Sequence, residues 1–255
     1  MSVRNGRHIL YINAEIGDEE RRNIMKISGL QKLTLLDYPE KTACTIFTCG
    51  CNFRCPFCHN ASLVTHTEDA GELDEEKLMA FLEKRRGILD GVCITGGEPL
   101  LWDDLDCLLA KIKELGYLIK LDTNGSSPKR LKELAQKGLI DYVAMDIKNA
   151  RERYGETIGI PGYDTSAVEQ SVKWLLEGHL PYEFRTTIVR EFHKKEDISR
   201  IGEWLLGAEK YYLQKFEDSE DVVEQGLHSH TDQWMKEAGE LAAKYMKNVY
   251  LRGIV

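Results

Sequence analysis

From residue 44 onward the chain alternates short runs rich in β-branched and aromatic residues with longer stretches whose apolar residues recur at helical spacing. This pattern leaves little choice of architecture. Strands that alternate with amphipathic helices are expected to form repeated βα units around a parallel sheet. The strand-like runs are residues 44–48, 92–95, 117–122, 142–146, 184–189 and 209–213, with 249–252 as a weaker seventh. Between them the spacing predicts helices over 74–86, 103–115, 128–137, 166–176, 197–205 and 231–244. Asp74 precedes Glu75 and Glu76, Ser127 stands before Pro128, and Gly116 and Gly138 follow their helices, as start and stop signals should. Residues 25–255 therefore read as one α/β domain of six βα units, without a Pro/Ser-rich linker, low-complexity tract or repeat. Residues 1–24 fall outside this rhythm. They are expected to be a dispensable leader, the alternative being an edge strand at 9–12.

Composition excludes several classes of function. At 255 residues the chain is long enough for a sizeable core, and no apolar run approaches the ~18 residues needed to span a bilayer. Lys and Arg number 34 against 42 Asp and Glu, a net charge of -8, which argues against an electrostatic grip on nucleic acid. Seven cysteines are an odd number for a disulfide framework, and five of them lie between Cys44 and Cys58. Clustered thiols hold metal in a reducing compartment. With no signal-peptide pattern at the start, the cytoplasm is the expected location.

The most informative segment is Cys51-x3-Cys55-x2-Cys58, followed by His59 and Asn60. Three thiolates at this spacing can converge on one metal centre from a single loop. A structural zinc normally takes four protein ligands, which Cys49, Cys44 or His59 would have to complete. A 4Fe-4S cluster with three protein thiolates instead leaves one iron free for a substrate or cofactor. Cys44, Cys93 and Cys107 read as small buried hydrophobes, and His59 as a shaping residue. Further along, Gly96-Gly97-Glu98-Pro99 follows the second strand, where two glycines permit close backbone approach and a carboxylate suits an ammonium group. Asp122-Thr123 ends the third strand and Asp146-Ile147-Lys148 ends the fourth. Strand C-termini are where barrel enzymes assemble their sites.

At these residues the chain resembles the radical S-adenosylmethionine (radical SAM) superfamily, whose defining spacing is C-x3-C-x2-C. The flanks at 29–39 and 58–60 tighten the resemblance to the glycyl-radical-enzyme activating branch, and within it to activators of anaerobic ribonucleoside-triphosphate reductase. The resemblance implies a partial (β/α)6 TIM-like barrel open on one side. It also implies a single 4Fe-4S cluster on Cys51, Cys55 and Cys58, since the stretch from Cys58 to Asp74 has no added cysteines. S-adenosylmethionine would be bound by Gly96, Gly97 and Glu98 at its amino group, by Lys148 at its carboxylate and by Phe57 near adenine. Asp122, Thr123 and Asp146 would flank a monovalent cation. Arg185 is a weaker candidate for the nucleotide or carboxylate, and Tyr212–Gln214 a loose one.

The implied activity is an oxidoreductase step. The cluster is reduced by flavodoxin or ferredoxin, S-adenosylmethionine is split to a 5′-deoxyadenosyl radical, and a glycyl radical is made on a partner enzyme, anaerobic ribonucleotide reductase. The competing readings are a radical enzyme acting on a small molecule, like 7-carboxy-7-deazaguanine synthase, and a non-catalytic zinc or iron–sulfur module. His193, His228 and His230 read as surface residues. The acidic stretch 216–235 reads as solvated or partner-facing loop.

Overall fold

The computed structural model describes residues 25–65 and 73–254; residues 1–24, read as a dispensable leader or an edge strand at 9–12, lie outside the described residues. Eight strands follow one another in a single sheet: β1 (Ile27–Thr34), β2 (Ala43–Thr48), β3 (Gly91–Gly96), β4 (Leu118–Thr123), β5 (Tyr142–Asp146), β6 (Tyr182–Ile188), β7 (Tyr211–Lys215) and β8 (Val249–Arg252). β2 to β8 pair in parallel, and β1 lies antiparallel on β2. Among the described residues no pairing joins β1 to β8, so the barrel stays open between them. The connections carry α1 (Ala61–Val64) and α2 (Glu75–Lys84) after β2, α3 (Leu105–Glu114), α4 (Pro128–Gln136), α5 (Tyr154–Thr157) with α6 (Ser166–Leu176), α7 (Lys195–Trp204) and α8 (Asp232–Ala242). Six βα units and a final strand result, as the alternation predicts.

The strands alternate in character as well as in direction. On β4, Ile119 and Leu121 are fully buried in the main core with Ile112, Leu131 and Leu134 from the neighbouring helices. Each such aliphatic side chain contributes about 1.5–3 kcal/mol by leaving water. Their neighbours Lys120 and Asp122 point to the other face of the sheet and pair with each other there. Lys120 and Asp122 thus face the barrel interior, which also holds a small apolar cluster of Tyr38, Ala43, Cys93 and Tyr142, while Ile119 and Leu121 face the main core.

Local signals explain where the helices begin and stop. The Asp74 carboxylate accepts from the Glu76 amide at 2.7 Å, capping α2. Pro128 occupies the first turn of α4, although Ser127 makes no capping bond. Gly116 (φ +89°) and Gly138 (φ +68°) take the left-handed conformation that ends α3 and α4.

The structure departs from the sequence-based expectations in identifiable ways. β1 was not expected, because its register shifts twice against β2 and breaks the period-2 pattern. α1 and α5 have only four residues each, too few to show helical periodicity. The run expected at 209–213 lies two residues later, at Tyr211–Lys215. Cys44 and Cys93 are buried as expected, whereas Cys107 is exposed on α3 because Leu105, Leu108 and Leu109 form that helix's buried side. No helix among the described residues is long and apolar enough to cross a membrane.

Candidate active site

The cysteine loop leaves the end of β2 and is tied down at several points. The Gly50 amide donates to Leu63 O at 2.8 Å, Arg54 N to Ile158 O at 2.9 Å, and Cys58 N to Cys55 O at 3.1 Å. The three thiols Cys51, Cys55 and Cys58 line a cavity of about 280 Å³ together with Phe57, Gly96, Gly97, Asp122, Thr123, Asp146, Lys148 and Arg185. Eleven of the twelve expected site residues therefore share one space at the C-terminal ends of the strands.

Glu98 is the exception: in this structure its carboxylate is taken up by main-chain amides and the Thr123 hydroxyl. Its side chain is almost wholly buried and does not line the cavity. One carboxylate oxygen accepts from Leu100 N (3.1 Å) and Thr123 Oγ1 (2.8 Å), the other from Asn124 N (2.6 Å). Burial pushes its pKa up to about 7 despite these three hydrogen bonds. Glu98 braces the turn at Gly96 and Gly97 against the end of β4. That turn packs main chain against main chain: Gly97 N donates to Thr48 O at 2.9 Å and Glu98 N to Gly50 O at 2.8 Å.

Charges inside the cavity wall form one connected set. Arg185 donates from Nε to Asp146 at 2.9 Å and from Nη1 to Asp122 at 3.1 Å. Lys148 Nζ reaches Asp146 at 3.0 Å, and Lys120 pairs with Asp122. Burial acts to raise the Asp146 pKa, but Arg185 and Lys148 outweigh it and hold the carboxyl down at about 2. Burial likewise opposes the charge on Lys148, yet Asp146 keeps its pKa above the ordinary lysine value. The two carboxylates expected to flank a monovalent cation are thus bridged by Arg185. The third expected ligand, Thr123, turns its hydroxyl to Glu98.

Among the described residues, none of the three fourth ligands expected for a closed zinc site is turned to the thiols. Cys44 is in the core, the Cys49 thiol lies 3.5 Å from Leu63 O, and His59 donates to Glu217 O at 2.7 Å. Among the described residues no three His, Cys, Asp or Glu side chains converge closely enough to hold a single metal ion. Thiols spread around the wall suit a polynuclear iron–sulfur group better than one zinc. Burial raises the pKa of Cys51 to about 11 and of Cys55 to about 12, so both must lose protons when iron binds.

Asn52 and Thr187 carried no signal in the sequence, whereas Asn60, Asn124 and Gln214 lie in segments singled out there. Asn60 donates to Gly96 O at 3.0 Å, and Asn124 donates to Asn52 Oδ1 at 2.8 Å while its amide lies 3.9 Å from Cys51 Sγ. Gln214 lines the cavity with Thr187, whereas Tyr212 stacks on Tyr250 at 4.8 Å on β8. His228 is exposed as expected, but His230 is half-buried against Trp234 and donates to His193 O at 2.9 Å.

His193 is not a surface residue. It is fully buried, accepts from Val189 N at 3.1 Å and donates from Nε2 to Lys148 O at 2.8 Å, 6.4 Å from the Phe57 ring. Burial lowers its pKa from 6.5 to about 4. The unfolded chain therefore takes up this proton first. Stability held by the neutral ring is complete above the ordinary value and is lost as pH falls toward 4, at a cost of about 3 kcal/mol. His193→Gln should flatten this limb of the stability–pH curve; equal steepness between pH 7 and 4 in chemical denaturation would count against the assignment.

Comparison with known proteins places these features in a family. The Radical SAM superfamily profile matches residues 45–205. A Methanocaldococcus jannaschii protein provisionally named a glycyl-radical enzyme activating enzyme is 32% identical over 235 residues, covering 89% of this chain and 96% of its own. The pyruvate formate-lyase-activating enzyme of Staphylococcus aureus is 27% identical over 184 residues, covering 68% and 71% of the two chains. Among solved structures, Streptococcus suis SuiB bound to S-adenosylmethionine superposes with a TM-score of 0.63 at 17% identity, over 80% of this chain. The present chain spans about half of SuiB, 48% of its length, and the likeness is one of fold.

Proposed function

The chain belongs to the radical SAM superfamily, in its glycyl-radical-enzyme activating branch, and from that premise we propose that it installs a glycyl radical on a large partner enzyme. Anaerobic ribonucleotide reductase is the partner, flavodoxin or ferredoxin the electron donor, and the reducing cytoplasm the setting. One observation carries the reading. Cys51, Cys55 and Cys58 share a single cavity with the Lys148–Asp146–Arg185–Asp122 charge set at the open ends of parallel strands.

Cys51, Cys55 and Cys58 would hold a 4Fe-4S cluster, which would supply the one-electron reduction of S-adenosylmethionine needed for hydrogen-atom abstraction from the partner's glycine. Lys148, kept charged by Asp146, holds the methionine carboxylate. Arg185 neutralises Asp122 and Asp146, so a third carboxylate approaches without facing two bare anions. Gly96 and Gly97 offer main chain to the amino group, with Glu98 as the brace behind them. Phe57, packed between Phe192 and His193, gives adenine an apolar ring. The monovalent cation implied by the resemblance would have to displace Arg185 from its two carboxylates.

The test uses anaerobically purified protein loaded with iron and sulfide, reduced, and mixed with S-adenosylmethionine and the anaerobic reductase. A glycyl-radical resonance signal on the reductase, dependent on every component and matched by 5′-deoxyadenosine release, is the expected result. Cleavage that never marks a glycyl radical enzyme but consumes a small purine-like molecule would favour the small-molecule reading. No cleavage under any condition would remove both.

A further inference from the structure

The acidic stretch after β7 is not free surface loop. Phe216, Val222 and Leu227 are buried and anchor it to the core, while Glu217, Asp218, Glu220, Asp221 and Glu224 between them face solvent. Between these anchors it runs across the cysteine loop. Val223 N donates to Cys58 O at 3.2 Å and Glu224 N to Pro56 O at 2.8 Å, while Ala61 N donates to Asp221 O at 3.2 Å. The Asp221 carboxylate takes both donors of Ser62, the amide at 3.1 Å and the hydroxyl at 3.0 Å. His59 donates to Glu217 O and packs its ring 5.2 Å from Phe216. Every one of these contacts joins segments about 160 positions apart in sequence.

We propose that residues 216–227 form a strap that clasps the cysteine loop, and that the Asp221 carboxylate is a positioning group acting through Ser62 to hold Cys58 at the metal group. The inference rests on the reading of Cys51, Cys55 and Cys58 as cluster ligands. The physical reason lies in the loop itself. Cys58 ends the ligand motif and is half-exposed, so thermal opening of its loop would admit water and chelators to the cluster edge. The main-chain groups that flank Cys58 have their partners in the strap. Loss of a hydrogen bond there raises the population of the open loop directly.

The experiment follows iron release to a ferrous chelator from anaerobically reconstituted protein, alongside its melting temperature and the cluster's midpoint potential. Asp221→Ala should release iron at least tenfold faster, while its melting temperature falls by no more than about 4 °C. Asp221→Asn, whose amide oxygen still accepts from the Ser62 amide and whose NH2 can donate to its hydroxyl, should return the rate to within about twofold of wild type. Ser62→Ala removes one donor only and should speed release about threefold; it carries the test alone if Asp221→Ala fails to fold. The clasp is overturned if Asp221→Ala, or Ser62→Ala in its place, releases iron at the wild-type rate, or if Asp221→Asn is as leaky as Asp221→Ala. Wild-type protein that takes up no iron and sulfide would instead overturn the cluster reading itself.

Discussion

Gly97→Ala should abolish measurable S-adenosylmethionine binding, raising the dissociation constant at least a hundredfold, in a protein that still folds. A methyl group at this position would lie 1.8 Å from Gly50 O and 2.5 Å from Gly50 C. Both are main-chain atoms of the segment entering the cysteine loop, so no side-chain rotation relieves the overlap. The turn and the loop must separate by more than an ångström, which breaks the Glu98 N to Gly50 O bond and shifts Gly96 and Gly97 away from the thiols. Misplacement on that scale costs about 10²-fold where reacting groups must be aligned. Gly116→Ala is the control: it also adds a methyl group, and its left-handed conformation (φ +89°) costs about 1 kcal/mol, but nothing lies within 4 Å of the new atom. Equilibrium binding by both variants decides the matter, and an affinity for Gly97→Ala within threefold of wild type would refute it.

The second large effect is expected from Asp146→Ala. Asp146 is the shared carboxylate of Arg185 and Lys148, and its removal leaves two buried cations with one fewer anion. Taking away one member of a buried charge set costs about 3–5 kcal/mol. Loss of the Nζ contact also frees Lys148, so binding of the methionine carboxylate should weaken with the fold. The pH dependence provides an independent check. Because the Asp146 pKa is depressed from 3.8 to about 2, its contribution is complete above the ordinary value and disappears as pH falls through 2. Wild type should therefore lose an increment of about 2 kcal/mol over that interval that the variant lacks throughout. Urea unfolding at pH 7 and in acid, with the m-values compared, measures both terms. A variant as stable as wild type at neutral pH would show that the cations find other partners.

Much of this arrangement was legible because its chemistry is local in sequence. The thiol spacing, the glycine pair after one strand and the carboxylates ending two others need no tertiary knowledge to be noticed, and they meet in one cavity. What stayed hidden depends on where distant segments land. Glu98 looks like a ligand on paper, but its oxygens are consumed by Thr123 and Asn124, some 25 residues away. His193 carries no motif, and its meaning comes from Lys148 O, 45 positions earlier. β1 lacked the alternation of a strand because its register shifts twice. The acidic tract was visible as charge, whereas its useful atoms are main-chain amides and one aspartate reaching back to the ligand loop.

Among the described residues the unclosed barrel has two unpaired margins, and unpaired amides and carbonyls along a margin invite copies of a protein to zip together. Both margins here are poor templates for that. β1 is bulged along its length and carries Lys32 on its exposed stretch, and β8 is only four residues long, followed by Gly253 at φ +75°. Among the described residues, the gap between β1 and β8 is thus bordered by two edges ill suited to pairing with an added strand.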